Sequence, residues 1–275
     1  MTDPKWAVAT ERGRYYRDPA GGPDLISVTN VLSVIAKPAL LPWAAGMAAD
    51  KVIAEPVRTA WRARREPTAL RKDLVAAHRQ YTERAQKLGT RVHLRAVALV
   101  LNTPYPYDRE VEPYAVQLAA FYRLWRVDFD RDIEAVETTV LHRKHGYAGT
   151  GDVWLWLPTG PYRRRQLWLI DYKTSAKKPA DTVYDEQPLQ LAALRHAPEW
   201  LLPDDTTEPA PRVHRTALLN LRPRAHRLIE VPSGRPQFAA FLGAMRTARY
   251  LHTAPSAYST VVPPWAPGAP DRKAA

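Results

Sequence analysis

The chain has no cysteine in its 275 residues. No disulfide framework can form within it, which fits a cytoplasmic protein. No run of about 18 apolar residues occurs, so no membrane span is expected. The opening stretch, MTDPKWAVATERGR, lacks the apolar core of a secretory signal, and none is expected. Gly149-Thr150-Gly151 has no third glycine and no following G-K-[ST], so it does not read as a phosphate-binding loop. The sequence has no internal repeat, no Ser/His/Asp nucleophile arrangement and no recognition-helix signature for reading bases. Acid is also scarce. Asp and Glu total 28 against 40 Lys and Arg, a formal net charge of +12.

The basic surplus is concentrated. Residues 61–95 carry ten Lys/Arg against three Asp/Glu, and residues 142–178 carry eight against two. A field of that kind suits a polyanionic partner. A solvated basic helix face is the other reading of 61–95. Thirty of the 40 basic residues are Arg. Arginine forks onto phosphate better than lysine does, although a GC-rich coding genome gives the same bias.

Residues 1–24 read as an irregular arm, within which residues 12–17 are a strand or a DNA-contacting segment. Residues 27–34 start a short helix capped by Ser27 or Thr29. Pro38 breaks it, and residues 40–53 form a second helix with Pro42 near its first turn. Residues 54–66 are helix or loop. Thr68 is expected to cap a helix to about residue 84, and helix resumes after a kink to residue 101. Ala85, Leu88, Val92, Ala96 and Leu99 are spaced as one apolar face, with His93 beside it. A helix over 110–125 buries Val111, Tyr114, Ala115, Leu118 and Tyr122. Strands follow at 133–141, 147–157 and 166–173. Asp185 caps a helix over 186–197, residues 198–211 form a loop, and 215–221 with 227–231 form a hairpin. Ser233 caps a helix to residue 251. The prolines beyond residue 254 argue for a disordered tail. The resulting domain plan is an arm (1–24), one domain (25–252, helical to 130 and then the sheet core) and a tail (253–275). The fold class is α/β, a mixed central sheet flanked by helices.

The chemistry concentrates in two strands. Leu167–Ile170 is a continuous apolar run that ends in Asp171-Tyr172-Lys173. Side chains alternate along a strand, so Asp171 and Lys173 share one face and Tyr172 takes the other. Charges at the end of a buried strand are costly unless something uses them. Read alone, the tripeptide is a salt bridge at a strand end. Asp152 alters that reading, because a hairpin over 147–173 can bring it near Asp171. Two carboxylates brought together stay ionised only with a cation between them. Oxygen ligands suit Mg²⁺ or Mn²⁺, and Lys173 beside them can offset charge on a reacting phosphate.

Gly151-Asp152, Asp171-Tyr172-Lys173-Thr174-Ser175 and Gln190-Leu191-Ala192-Ala193-Leu194 together resemble the PD-(D/E)XK nuclease superfamily. The branch they are most similar to is the RecB-type and CRISPR-associated-type exonucleases, many of them carried by bacteriophages. Leu88-Gly89-Thr90-Arg91-Val92-His93 is similar to the helix that bears that branch's metal-binding histidine. Ser27-Val28-Thr29-Asn30-Val31-Leu32, with Pro38-Ala39-Leu40 and Trp43-Ala44, resembles the N-terminal segment of the phage members. The resemblance spans roughly residues 12–195. It implies a PD-(D/E)XK core in which His93, Asp152, Asp171 and the Tyr172 carbonyl hold Mg²⁺ or Mn²⁺. Lys173 would be catalytic, Gln190 would hold the site or the DNA, and Glu137 stands where relatives often carry an acid. Arg91, Arg163, Arg164, Arg165, Thr174, Ser175 and Lys177 would contact the DNA backbone. There are two departures from the family pattern. Leu194 replaces the tyrosine of Q-x-x-x-Y, and without cysteine there is no iron–sulfur cluster.

The activity implied is a metal-dependent DNA exonuclease in recombination, repair or phage DNA processing. It would work in the cytoplasm, that of the host cell if phage-encoded, beside a strand-annealing or recombination protein and away from membranes. Two alternatives stand. One is a non-catalytic DNA-binding accessory protein on a nuclease fold. The other is an endonuclease of the same fold, structure- or sequence-specific or RNA-directed.

Overall fold

A computed structural model describes residues 4–254 and 258. The predicted tail lies largely outside these residues. The chain folds as α/β, with a mixed sheet between two helical layers. Three long strands form its centre: β4 (Ile133–His142), β5 (Tyr147–Thr159) and β6 (Arg164–Thr174). All three pair antiparallel in sequence order. β6 then runs parallel to β9 (Arg215–Arg222), which turns back into β10 (Ala225–Glu230).

The other elements enter this sheet from both ends of the chain. Residues 7–16 form a hairpin, β1 (Ala7–Thr10) with β2 (Gly13–Tyr16); β2 falls in the stretch 12–17 open to a strand reading, whereas β1 lies in what reads as irregular arm. Gly13 closes the turn at φ +99°, a conformation glycine adopts without strain. β3 (Leu25–Ser27) joins β2 to the first residues of β5. A second short hairpin, β7 (Glu199–Leu201) with β8 (Thr207–Pro209), occupies the stretch expected to be loop and pairs with β4. Both departures involve strands of three or four residues, too short to show a period.

One helical layer holds α1 (Val28–Leu32), α7 (Glu186–His196) and α8 (Arg235–Thr253). It covers Trp154, Leu167, Leu169 and Leu218 with Val31, Leu191, Leu194, Phe241 and Met245. The other holds α4 (Pro67–Val100) and α5 (Glu112–Leu124). There Val92, Ala96, Leu118, Phe121 and Tyr122 pack on Val153, Leu155, Ile170 and Tyr172. Alternate residues of β5 and β6 therefore serve opposite cores, which is why both strands read as almost unbroken apolar runs. Leu194 lies in the first core, buried.

Ser27 caps α1 by accepting from the Asn30 N–H at 3.1 Å, as predicted. Three other caps differ from the reading. Asp185 stands at the N-cap of α7, but its side chain makes no capping hydrogen bond. Thr68 lies inside α4, which starts on Pro67, and Gly234 rather than Ser233 stands at the N-cap of α8. Ser233 is buried and bonded to Thr216 and Arg195. α4 is one unbroken helix of 34 residues, about 50 Å long at 1.5 Å per residue. On its N-terminal half lie α2 (Leu40–Ala54) and α3 (Pro56–Arg65). Lys51 and Arg62 grip Asp73 at 2.6 and 2.9 Å, and the Trp43 ring meets the Tyr81 ring edge-on at 5.7 Å. No described helix is long and apolar enough to cross a membrane.

Candidate metal centre

The site lies where two strands part. β5 and β6 are paired from Thr159/Arg164 to Val153/Ile170. Beyond that, residues 171–174 stay paired with β9 alone. Asp152 and Asp171 are the first residues past the fork. The Asp152 carboxylate spans the opening by accepting the Tyr172 N–H at 2.5 Å. Gly151 precedes it because the Trp154 ring occupies the space a Cβ would need.

α4 closes the fork from one side. Its face of Leu88, Val92 and Ala96 packs on the sheet, and His93 beside that face reaches the opening. His93 Nδ1 lies 3.1 Å from Asp152 Oδ1 and 3.6 Å from Glu137 Oε1. Gly89, one turn earlier, lets the helix lie against β6, since a Cβ there would meet Thr174 Oγ1 at 3.3 Å. Glu137 arrives by an unusual route. It sits within β4 at φ +46°, a left-handed conformation that side chains rarely adopt. The flanking pairs Val136/Val153 and Thr138/Gly151 stay in register. Such a residue costs about 1–3 kcal/mol and tends to mark a functional site.

α7 closes the other side. Gln190 donates to Asp171 Oδ1 at 2.9 Å and accepts from Lys173 Nζ at 3.2 Å. Lys173 Nζ is also 2.6 Å from Asp171 Oδ2. Asp171 and Lys173 thus share one face, as the alternation predicts. Tyr172 takes the other, where its hydroxyl meets that of Tyr122 at 2.7 Å in the core.

Burial sets the electrostatics. Asp152 is 6% exposed and Asp171 3%. Burial is the strongest influence on His93 and disfavours its charge, but Asp152 and Glu137 outweigh it and raise the imidazole to about 10. Burial would also raise Asp152, yet the charges of His93 and Lys173 hold it below the usual range. Asp171 is pushed up by burial and by Asp152, against the pull of Lys173. Lys173 stays charged because Asp171 outweighs its desolvation.

His93, Glu137 and Asp152 form a group able to hold a metal ion, their ligand atoms all within 4.8 Å of one another. Neighbouring ligands of an octahedral cation at 2.0–2.1 Å lie about 3 Å apart, close to the 3.1 and 3.6 Å separations here. With its pKa raised to about 10, the imidazole of His93 favours the charged form between the two carboxylates. Asp171, predicted as a further ligand, is not one of this group of three; its carboxylate is engaged by Lys173 and Gln190.

The remaining predicted residues fall elsewhere. Arg163, Arg164 and Arg165 sit at the far tip of the β5–β6 hairpin. The seven residues from Asp152 to Thr159 put that tip about 23 Å away at 3.3 Å per residue, and Arg165 pairs there with Asp132. Arg91 points away from the fork and is held by Asp108 and Glu110. Ser175 Oγ accepts from the Lys177 and Lys178 N–H groups, turning the chain after Thr174. Lys177 Nζ lies 5.3 Å over the Tyr81 ring of α4.

Sequence reasoning passed over Arg222. It is buried and donates to the carbonyls of Lys173, Lys178 and Pro179, fixing the backbone that carries the lysine. An arginine ending the largely apolar run Ala217–Leu221 was the available signal. The His142 and His145 rings meet at 4.4 Å, tilted at 55°, at the β4–β5 turn and belong to no metal-ligating group of three or more among the described residues. Trp154 packs on Trp200 in the core. The chain matches no protein-family model and no curated protein.

Proposed function

We propose that the protein is a divalent-metal-dependent DNA exonuclease of the PD-(D/E)XK type. The observation that carries the reading is the pairing, at one strand fork, of a buried His93–Glu137–Asp152 group with a charged, clamped Lys173. A structural salt bridge at a strand end needs no such second cluster. The basic surplus around residues 61–95 and 142–178 supports a polyanionic substrate.

The reaction is phosphodiester hydrolysis. Water oxygen bonds to phosphorus, one P–O bond breaks, and the departing oxygen takes up a proton. His93, Glu137 and Asp152 would hold the cation, Mg²⁺ or Mn²⁺. When bound, it supplies a water of lowered pKa and neutralises charge on the phosphate. Lys173 has three N–H donors. Asp171 and Gln190 take two, which aims the third at a phosphate oxygen as charge develops. The Tyr172 N–H fixes the Asp152 carboxylate. No cysteine is present, so no iron–sulfur cluster takes part. A role in recombination, repair or phage DNA processing, beside a strand-annealing protein, follows from the same reading.

The test is DNA cleavage in Mg²⁺ and Mn²⁺ by wild type and Lys173→Gln, with metal binding measured in parallel. Losing one such donor typically lowers turnover by about 10²–10³-fold, while Mn²⁺ affinity, set by untouched ligands, is retained. Equal cleavage by both proteins refutes the role of Lys173. DNA binding without cleavage by wild type replaces the enzyme with an accessory DNA-binding protein.

A further inference from the structure

The geometry points to the N-terminal half of α4 as a track for a polynucleotide backbone leading away from the metal centre. The inference rests on the nuclease reading and adds where the substrate lies. At 3.6 residues per turn, Gly89, Gln86, Thr82, Arg79, Val75, Lys72, Arg71 and Thr68 fall within about 60° of the face of His93. Gln86, Thr82, Arg79, Val75, Lys72 and Arg71 are all exposed. The opposite face is already used. Leu70 and Ala77 are buried there, and Asp73 is tied to Lys51 and Arg62 of the neighbouring helices.

The charge on the open face is of one sign. Arg71, Lys72 and Arg79 form no ion pair with any described residue. α4 carries two carboxylates, Asp73 on the far side and Glu83 on the flank. The track is continuous with the site. Gly89 abuts Thr174, and Lys177 lies over Tyr81, so the segment following Lys173 runs along the helix. Arg222 pins that segment through the Lys178 and Pro179 carbonyls.

Distance fixes the register. At 1.5 Å per residue, Arg79 lies about 21 Å and Arg71 about 33 Å from His93 along the axis. On a duplex at 3.4 Å per base pair, that is about six to ten base pairs from the scissile phosphate. These contacts reach phosphates and read no sequence.

The experiment compares wild type with Arg71→Ala/Lys72→Ala/Arg79→Ala. A charge-matched control, Arg109→Ala/Arg123→Ala/Arg224→Ala, removes three exposed arginines elsewhere. Cleavage in Mg²⁺ is measured on substrates of about 30 nucleotides, single-stranded and duplex, over a salt series. The track triple should raise KM at least ten-fold and flatten the log–log salt slope by about two to three. The loss should shrink on a trinucleotide, which even when extended is too short to reach Arg79, and the control should match wild type. Unchanged KM and slope in the track triple overturn the inference, as does an equal loss in the control. If wild type cleaves nothing, the nuclease reading has failed. Fluorescence anisotropy on the longer substrate in EDTA then decides the track separately, by the same slope difference.

Discussion

Replacing Glu137 by glycine should stabilise the protein without metal and destabilise it with metal. The φ of +46° costs a side chain about 1–2 kcal/mol and costs glycine nothing. Glu137→Gly should therefore gain about 1 kcal/mol in EDTA, judged by urea unfolding. The same change removes one ligand of the His93–Glu137–Asp152 group. At a Mn²⁺ concentration of about 100 Kd for wild type, binding adds about 2.7 kcal/mol. If the variant binds ten- to a hundred-fold more weakly, that gain falls to between about 1.4 and 0.4 kcal/mol. The order of stability should invert between EDTA and Mn²⁺. Glu137→Gln separates the two effects, because it keeps the backbone cost and loses the charged ligand. It should show no gain in EDTA and the same weakened response to Mn²⁺. A Glu137→Gly protein less stable than wild type in EDTA, yet equally stabilised by Mn²⁺, would refute the link between the turned backbone and the metal group.

Three further outcomes follow from buried or part-buried polar contacts elsewhere in the fold and beside the site. Tyr122→Phe leaves the buried Tyr172 hydroxyl without its 2.7 Å partner and should cost about 1–3 kcal/mol, while Tyr122→Phe/Tyr172→Phe should recover part of it; a double variant worse than the sum of the singles would contradict this. Arg143 bonds Asp18 and holds its carboxyl below the usual range. A depressed carboxylate contributes stability that is present above its unfolded pKa and lost as pH falls through the folded one, so Asp18→Asn should flatten the loss of stability below about pH 4. Arg222→Lys keeps the charge but loses the fork onto the Lys173, Lys178 and Pro179 carbonyls. It should lower turnover about ten-fold or more and open residues 175–185 to proteolysis; unchanged cleavage of both DNA and chain would remove Arg222 from the site's support.

The long elements were legible because their patterns repeat. β4, β5, β6 and the apolar face around Val92 each span enough residues to show a period, and the alternation placed Asp171 and Lys173 together. The short hairpins, β1–β2 and β7–β8, gave too few residues for a pattern. At the site, the sequence brought His93, Asp152 and Glu137 into consideration but not their geometry. Nothing in Val136-Glu137-Thr138 announces a left-handed residue, so Glu137's position beside His93 came from tertiary structure. Arg163–Arg165 were expected to contact the DNA backbone, and they stand six to eight positions before Asp171 in sequence. An extended strand covers about 3.3 Å per residue, which carries the hairpin tip away from the fork. Thr68 and Ser233 looked like caps, but Pro67 and Gly234 stand where the helices begin.

The most direct test of the central claim is degradation of end-labelled linear DNA beside closed circular DNA, with Mg²⁺ or with EDTA. Loss of the linear form alone, only in Mg²⁺, is the result predicted for a metal-dependent exonuclease. Both forms surviving in Mg²⁺ and in Mn²⁺, by a protein that still binds DNA, would contradict it.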